Sequence, residues 1–196
     1  MKKILQFFLL ISITVNSYAQ VYSNTSIALN KTDDGIQTIA TNPSWVRTSF
    51  TDTHPMSYQL FYSKHANGVE MYGIHLSVNT SKKHSIPKNG LLLIKTTDNT
   101  IIEAKRNSFK NEYGEANINR GIITYNVSSV YEIELDDLIK ISQDGIKKIR
   151  IETGVDYIES TYKPKRSTEI AQLFSNMLAS IQNELKTNKK DIYNDF

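Results

Sequence analysis

The sequence predicts an α+β domain dominated by antiparallel sheet, either a two-layer sandwich or one strongly curved sheet, with a C-terminal amphipathic helix packed across one face. Three patterns carry that class. From Trp45 onward apolar residues recur at every second position in successive runs, the alternation of half-buried strands. Asn67-Gly68 and Asp98-Asn99 separate pairs of such runs, as hairpin turns do. Finally, Ile170, Leu173, Phe174, Met177, Leu178, Ile181 and Leu185 form one stripe at helical spacing, and seven large apolar side chains demand a surface to cover them.

In chain order, residues 1–19 carry Lys2 and Lys3, an apolar run from Phe7 to Val15, and Ser17-Tyr18-Ala19. These are the charged, apolar and small-residue zones of a cleavable secretory signal. The run is too short to anchor in about 30 Å of hydrocarbon, so the mature chain is expected to begin at Gln20 and to reside in the periplasm or outside the cell. Residues 20–44 are rich in Thr, Ser and Asn and read as a weakly structured arm or strand turning at Asp34-Gly35. A single β-rich domain is expected over 45–187, followed by a polar tail, 188–196.

Within that domain, Tyr72, Ile74, Leu76 and Val78 share one face of a strand over 69–79, and Glu70, His75, Ser77 and Asn79 share the other. The pattern selects the register of the hairpin with residues 58–64. A two-residue loop scatters apolar residues over both faces. A three-residue loop, Ala66-Asn67-Gly68 with a left-handed glycine, sets Tyr62 against Tyr72, Leu60 against Ile74 and Tyr58 against Leu76. A second hairpin pairs 91–96 with 100–105, and its unbroken Leu91-Leu92-Leu93-Ile94 predicts a central strand covered on both faces. Between Gly121 and Leu135 every odd position except Ser129 is apolar, which predicts a long strand crossing the sheet or bending near Ser128-Ser129. Asp136 and Asp137 then open a short helix over 136–144 that Gly145 stops. Strands over 146–152 and 155–162 follow, and Ser167 or Thr168 is placed to cap the last helix, 168–186.

Removing residues 1–19 lowers Lys+Arg from 23 to 21 against 20 Asp+Glu, and the formal charge from +3 to +1. A near-neutral chain lacks the basic footprint that neutralises phosphates, so no nucleic-acid partner is expected. The chain has no cysteine, which excludes disulfides, a thiolate nucleophile and a cysteine zinc site together. No second apolar run reaches the length of a membrane span, no cofactor motif is present, and the oligomeric state is open. The Lys-Lys start, the Tyr-Ala-Gln cleavage region and the run GLLLIKTTDNTIIEAKR … DLIKISQDGIKKIRIETG resemble uncharacterised small exported proteins of Bacteroidota-type bacteria. That resemblance implies export and no particular activity.

Candidate chemistry is sparse. The four histidines, His54, His65, His75 and His84, lack metal-site spacing. Of them, His75 lies opposite the apolar face of its strand, where an outward groove can form beside Met71 and Tyr58 or Tyr62. Asp33-Asp34-Gly35 matches a calcium loop only in its Asp-Gly, and Ser160-Thr161-Tyr162-Lys163 lacks the partners its hydrolase motif requires. Aromatic rings suit sugar faces and interfaces, which makes Trp45, Tyr58, Tyr62 and Tyr113, with His75, the candidate ligand-binding residues. No catalytic or metal-binding set is legible. These features point to an exported non-enzymatic binding or assembly protein with a protein or glycan partner. The alternatives are a secreted hydrolase whose site forms only in three dimensions, and a regulatory or inhibitory protein that docks through its C-terminal helix.

Overall fold

The computed structural model describes residues 25–46, 55–106, 112–119 and 122–194, with backbone only at 112, 118, 119, 122 and 188–194. The expected signal segment and His54 lie outside the described residues. Among the described residues thirteen strands and two helices follow in the order β1 (Ile27–Asp33), β2 (Ile36–Thr41), β3 (Ser44–Val46), β4 (Met56–Lys64), β5 (Glu70–Thr80), β6 (Ser85–Ile86), β7 (Leu91–Thr96), β8 (Ile101–Lys105), β9 (Glu112–Tyr113), β10 (Glu115–Asn119), β11 (Ile122–Ile133), α1 (Leu135–Asp144), β12 (Ile146–Glu152), β13 (Tyr157–Thr161) and α2 (Pro164–Asn194). Eleven strands make one antiparallel sheet in the order β1-β2-β4-β5-β11-β8-β7-β12-β13, with β3 on β4 and β10 on β11, while β6 and β9 form a separate two-stranded pair.

Local chemistry sets these elements. The β4–β5 register pairs Tyr62 with Tyr72, Leu60 with Ile74 and Tyr58 with Leu76, and Gly68 adopts a φ of 84°, as the three-residue loop requires. Of the arm and strand readings of this segment, residues 27–41 take the strand one, forming a hairpin of the main sheet. Asp34 and Gly35 turn it with φ of 47° and 74°, and Ile39 and Thr41 are fully buried. Strand β7 departs from the expected two-sided cover. Leu92, Ile94 and Thr96 are buried, whereas Leu91, Leu93 and Lys95 are half-buried on the opposite face. Helices α1 and α2 line one face of the sheet, leaving those residues on the other.

Strand β11 organises the sheet. It pairs with β5 from Tyr125 to Ile133, but with β8 only at Glu132–Lys105. Two half-sheets therefore meet at a narrow joint. Ser129, the one polar interruption of its inward face, accepts a 2.6 Å hydrogen bond from Nε of the buried Arg106, whose Nη1 reaches the Pro87 carbonyl at 3.0 Å.

Helix α2 packs against β1, β2 and β4 of one half and β12 of the other, and also against α1. The sheet thus curves round the helix. Ile170, Leu173, Phe174, Met177, Leu178 and Ile181 are buried, so the apolar stripe is covered by the chain itself. The Tyr58 and Tyr162 hydroxyls, from opposite halves, meet at 2.8 Å, and Tyr58 packs edge-on against Phe174 at 5.5 Å.

The helix starts earlier and runs longer than its stripe predicts. Pro164 occupies the first position, where its fixed φ suits a helix and its missing N–H costs nothing, and the Ser167 amide already bonds the Lys163 carbonyl at 3.0 Å. Ser167 and Thr168 are therefore not caps. The Ser167 hydroxyl instead bonds the Ile146 carbonyl at 2.7 Å. Backbone helix continues to Asn194, where a polar tail is expected from sequence.

Candidate functional site

The five sequence-predicted candidates do not converge. Tyr58 and Tyr62 are 0% and 1% exposed and belong to the core, as their register against Leu76 and Tyr72 dictates. This corrects their assignment as surface aromatics. Burial and the neighbouring Glu70 carboxylate push the Tyr62 hydroxyl well above the ordinary tyrosine range. Tyr113 lies on β9 and is exposed. Trp45 and His75 share the outer face of the first half-sheet. Trp45 opposes Ser57, and His75 is half-buried between the Gln59 Oε1, 3.0 Å from Nδ1, and the Ser128 Oγ, 2.5 Å from Nε2.

A shaped concavity lies on the other half-sheet, on the face away from the helices. It is an open groove of about 350 Å³ lined by Leu91, Leu93, Arg150, Glu152, Thr153, Val155, Asp156 and Tyr157. Alternation builds it. Because Ile149 and Ile151 point inward, Arg150 and Glu152 point outward, and register sets Arg150 between Leu93 and Glu159. Leu91 and Leu93 form the floor. Tyr157 forms one wall, with the Arg150 guanidinium 4.2 Å from its ring centroid.

Arg150, Glu152 and Thr153 are each held by a hydrogen-bond partner. Arg150 donates through Nε and Nη2, at 2.9 and 2.7 Å, to one oxygen of Glu159, and Lys148 binds the other oxygen at 2.6 Å. Lys148 first, and Arg150 with it, hold the Glu159 carboxyl below the usual glutamate range against the opposing effect of desolvation. Glu152 accepts the Leu91 amide at 3.1 Å. The β12–β13 turn is braced internally, Asp156 N–H to Thr153 Oγ1 at 3.0 Å, and tied to β6 through Gly154 N–H to the Ser85 carbonyl at 2.9 Å. Such fixed donors and acceptors lose little freedom when a ligand arrives.

The lining also selects by chemistry. A guanidinium donates, two carboxylates accept, and an aliphatic floor faces an aromatic wall. A phosphate or polyanion meets Glu152 and Asp156, and a bare cation meets Arg150. The ligand that suits all of them carries hydroxyls able both to donate and to accept, together with an apolar face. Sequence reasoning missed this groove because β7 and β12 are distant in the chain. The visible signal was the half-apolar outward side of Leu91-Leu92-Leu93-Ile94.

Among the described residues no group of three or more histidine or acidic side chains is placed to hold a metal, and no helix is long and apolar enough to cross a membrane. Fold and groove together define a mainly antiparallel α+β protein with an open, charge-mixed cleft on its outer sheet face. No known protein family, curated protein or solved structure matches the chain.

Proposed function

We propose that this chain is an exported binding protein whose groove at Leu93, Arg150, Glu152 and Tyr157 takes a neutral sugar ring of a glycan. The observation that carries this reading is the pairing of donor and acceptor side chains, Arg150 pinned by Glu159 and Glu152 by the Leu91 amide, over an aliphatic floor beside the half-exposed Tyr157 ring. Export rests on the Lys-Lys start, the Phe7–Val15 run and the small residues at 17 and 19. At this groove the reading is binding, not chemistry, because Arg150 and Glu152 are engaged in holding its shape.

Calorimetric titration of the purified protein with neutral and acidic oligosaccharides tests it. A neutral oligosaccharide is expected to bind, and Tyr157→Ala to weaken it about fivefold, since stacking on an aromatic ring contributes of order 1 kcal/mol. Trp45→Ala, on the other half-sheet, leaves that affinity unchanged. Failure of every sugar to bind, or binding indifferent to Tyr157, overturns the reading.

A further inference from the structure

The outer face of the first half-sheet carries a hydrogen-bonded relay that the sugar-binding reading does not use. Gln59, His75 and Ser128 come from three adjacent strands. The Thr41 carbonyl accepts 2.6 Å from Gln59 Nε2, and a carbonyl can only accept, so the amide is oriented with Oε1 towards His75. That oxygen lies 3.0 Å from Nδ1, and it fixes the neutral imidazole as the Nδ1–H tautomer. Nε2 is therefore the acceptor, and the Ser128 hydroxyl, 2.5 Å away, is its donor. A hydroxyl bonded to the basic nitrogen of a histidine, itself oriented by a third group, is the arrangement of an activated nucleophile.

The surroundings of Ser128 supply further parts. In mid-strand, successive backbone amides point to opposite edges and cannot converge on a developing oxyanion. Side chains stand in their place. Ser77 opposes Ser128 directly and Asn126 lies two residues before it on the same face, and these two bond each other at 2.9 and 3.1 Å. Asn126 Nδ2 donates also to Asn79 Oδ1 at 2.9 Å, so its two N–H groups and the Ser77 O–H are engaged within this row, and one of these bonds must be exchanged to serve an oxyanion. Ser57 and Ser77 continue the same row to Trp45, so small side chains floor the space between Ser128 and an indole that is 41% exposed.

We propose that Ser128 is the nucleophile of an ester-cleaving site, with His75 as general base and Gln59 as the residue that positions it. Ser128 Oγ attacks the ester carbonyl carbon as its proton passes to His75 Nε2, and the Asn126 amide, giving up its bond to Ser77, donates to the carbonyl oxygen. The ester C–O bond breaks, and the leaving alcohol takes the proton from Nε2. Water, deprotonated by the same nitrogen, then cleaves the acyl-serine to a carboxylic acid and restores the hydroxyl. The substrate class is a carboxylic ester with an accessible carbonyl. The inference is independent of sugar binding at the groove.

The test is reaction of the purified protein with a fluorophosphonate probe, with the modified peptide mapped by mass spectrometry, alongside hydrolysis of p-nitrophenyl acetate. A single adduct on Ser128 is expected, absent in Ser128→Ala and formed about 100-fold more slowly in His75→Ala. Gln59→Leu slows it at an unchanged melting temperature, and Gln59→Glu, which restores an acceptor for Nδ1–H, recovers it. Ester hydrolysis is lost with Ser128→Ala. No adduct on Ser128, an adduct rate indifferent to His75, or hydrolysis that persists in Ser128→Ala overturns the proposal, and a Gln59→Glu variant no faster than Gln59→Leu overturns the positioning role.

Discussion

At the scale of single residues, Glu159 joins stability to the groove. Lys148 and Arg150 bind its two oxygens and hold its carboxyl below the usual range. A carboxyl whose pKa falls on folding stabilises the native state above its unfolded pKa and loses that contribution as pH drops through the folded one. The melting-temperature difference between the wild-type protein and Glu159→Gln is therefore expected at pH 7, to persist to about the ordinary glutamate value of 4.3, and to vanish below it. Thermal unfolding at several pH values checks this. A difference that grows on acidification contradicts the pairing. Protonation also frees Arg150 from its anchor, so sugar affinity is expected to decline over the same acid limb.

Among the elements, two glycines separate conformational strain from collision. Gly68 and Gly145 both hold positive φ, 84° and 74°, but a Cβ at Gly68 meets nothing within 4 Å, whereas at Gly145 it would stand 2.0 Å from the Ser167 carbonyl oxygen. Gly68→Ala is expected to cost about 1–2 kcal/mol, the left-handed penalty alone. Gly145→Ala costs more, because the stop of α1 is packed on the first turn of α2 and one backbone must move. Chemical denaturation of both variants decides it, and equal losses contradict the packing. Elements closed by neighbours in sequence were legible for the same reason: the period-2 pattern with Asn67-Gly68 specifies β4–β5, and Gly145 specifies the end of α1. What escaped depends on distant chain. The helix began at Pro164 rather than at a Ser167 cap because Ile146, a strand away, takes that hydroxyl. Ser129 looked like a flaw in β11 until Arg106 supplied its partner. Arg150 and Tyr157 look like ordinary surface residues until β7 is laid beside β12, and His75 gave no sign that Gln59 and Ser128 would bracket it.

For the molecule as a whole, the narrow β11–β8 joint raises the question of whether the half-sheets fold separately. The inner faces answer it. Buried residues of both halves belong to one cluster with α2 at its centre, and the Tyr58–Tyr162 bond spans the halves at 2.8 Å. Removing α2 from either half would expose apolar side chains worth roughly 1.5–3 kcal/mol each when fully buried, far more than the one residue pair at the joint contributes. The chain is therefore expected to unfold in a single transition, with far-ultraviolet circular dichroism reporting the sheet and near-ultraviolet dichroism reporting the buried tyrosines at coincident midpoints. A double-mutant cycle on Tyr58→Phe and Tyr162→Phe is expected to give a coupling of about 0.5–1.5 kcal/mol, the net value of a hydrogen bond. Two resolved transitions, or a coupling of zero, would mean that the helix and the tyrosine pair do not hold the halves together. The groove and the Ser128 face would then belong to units able to move independently.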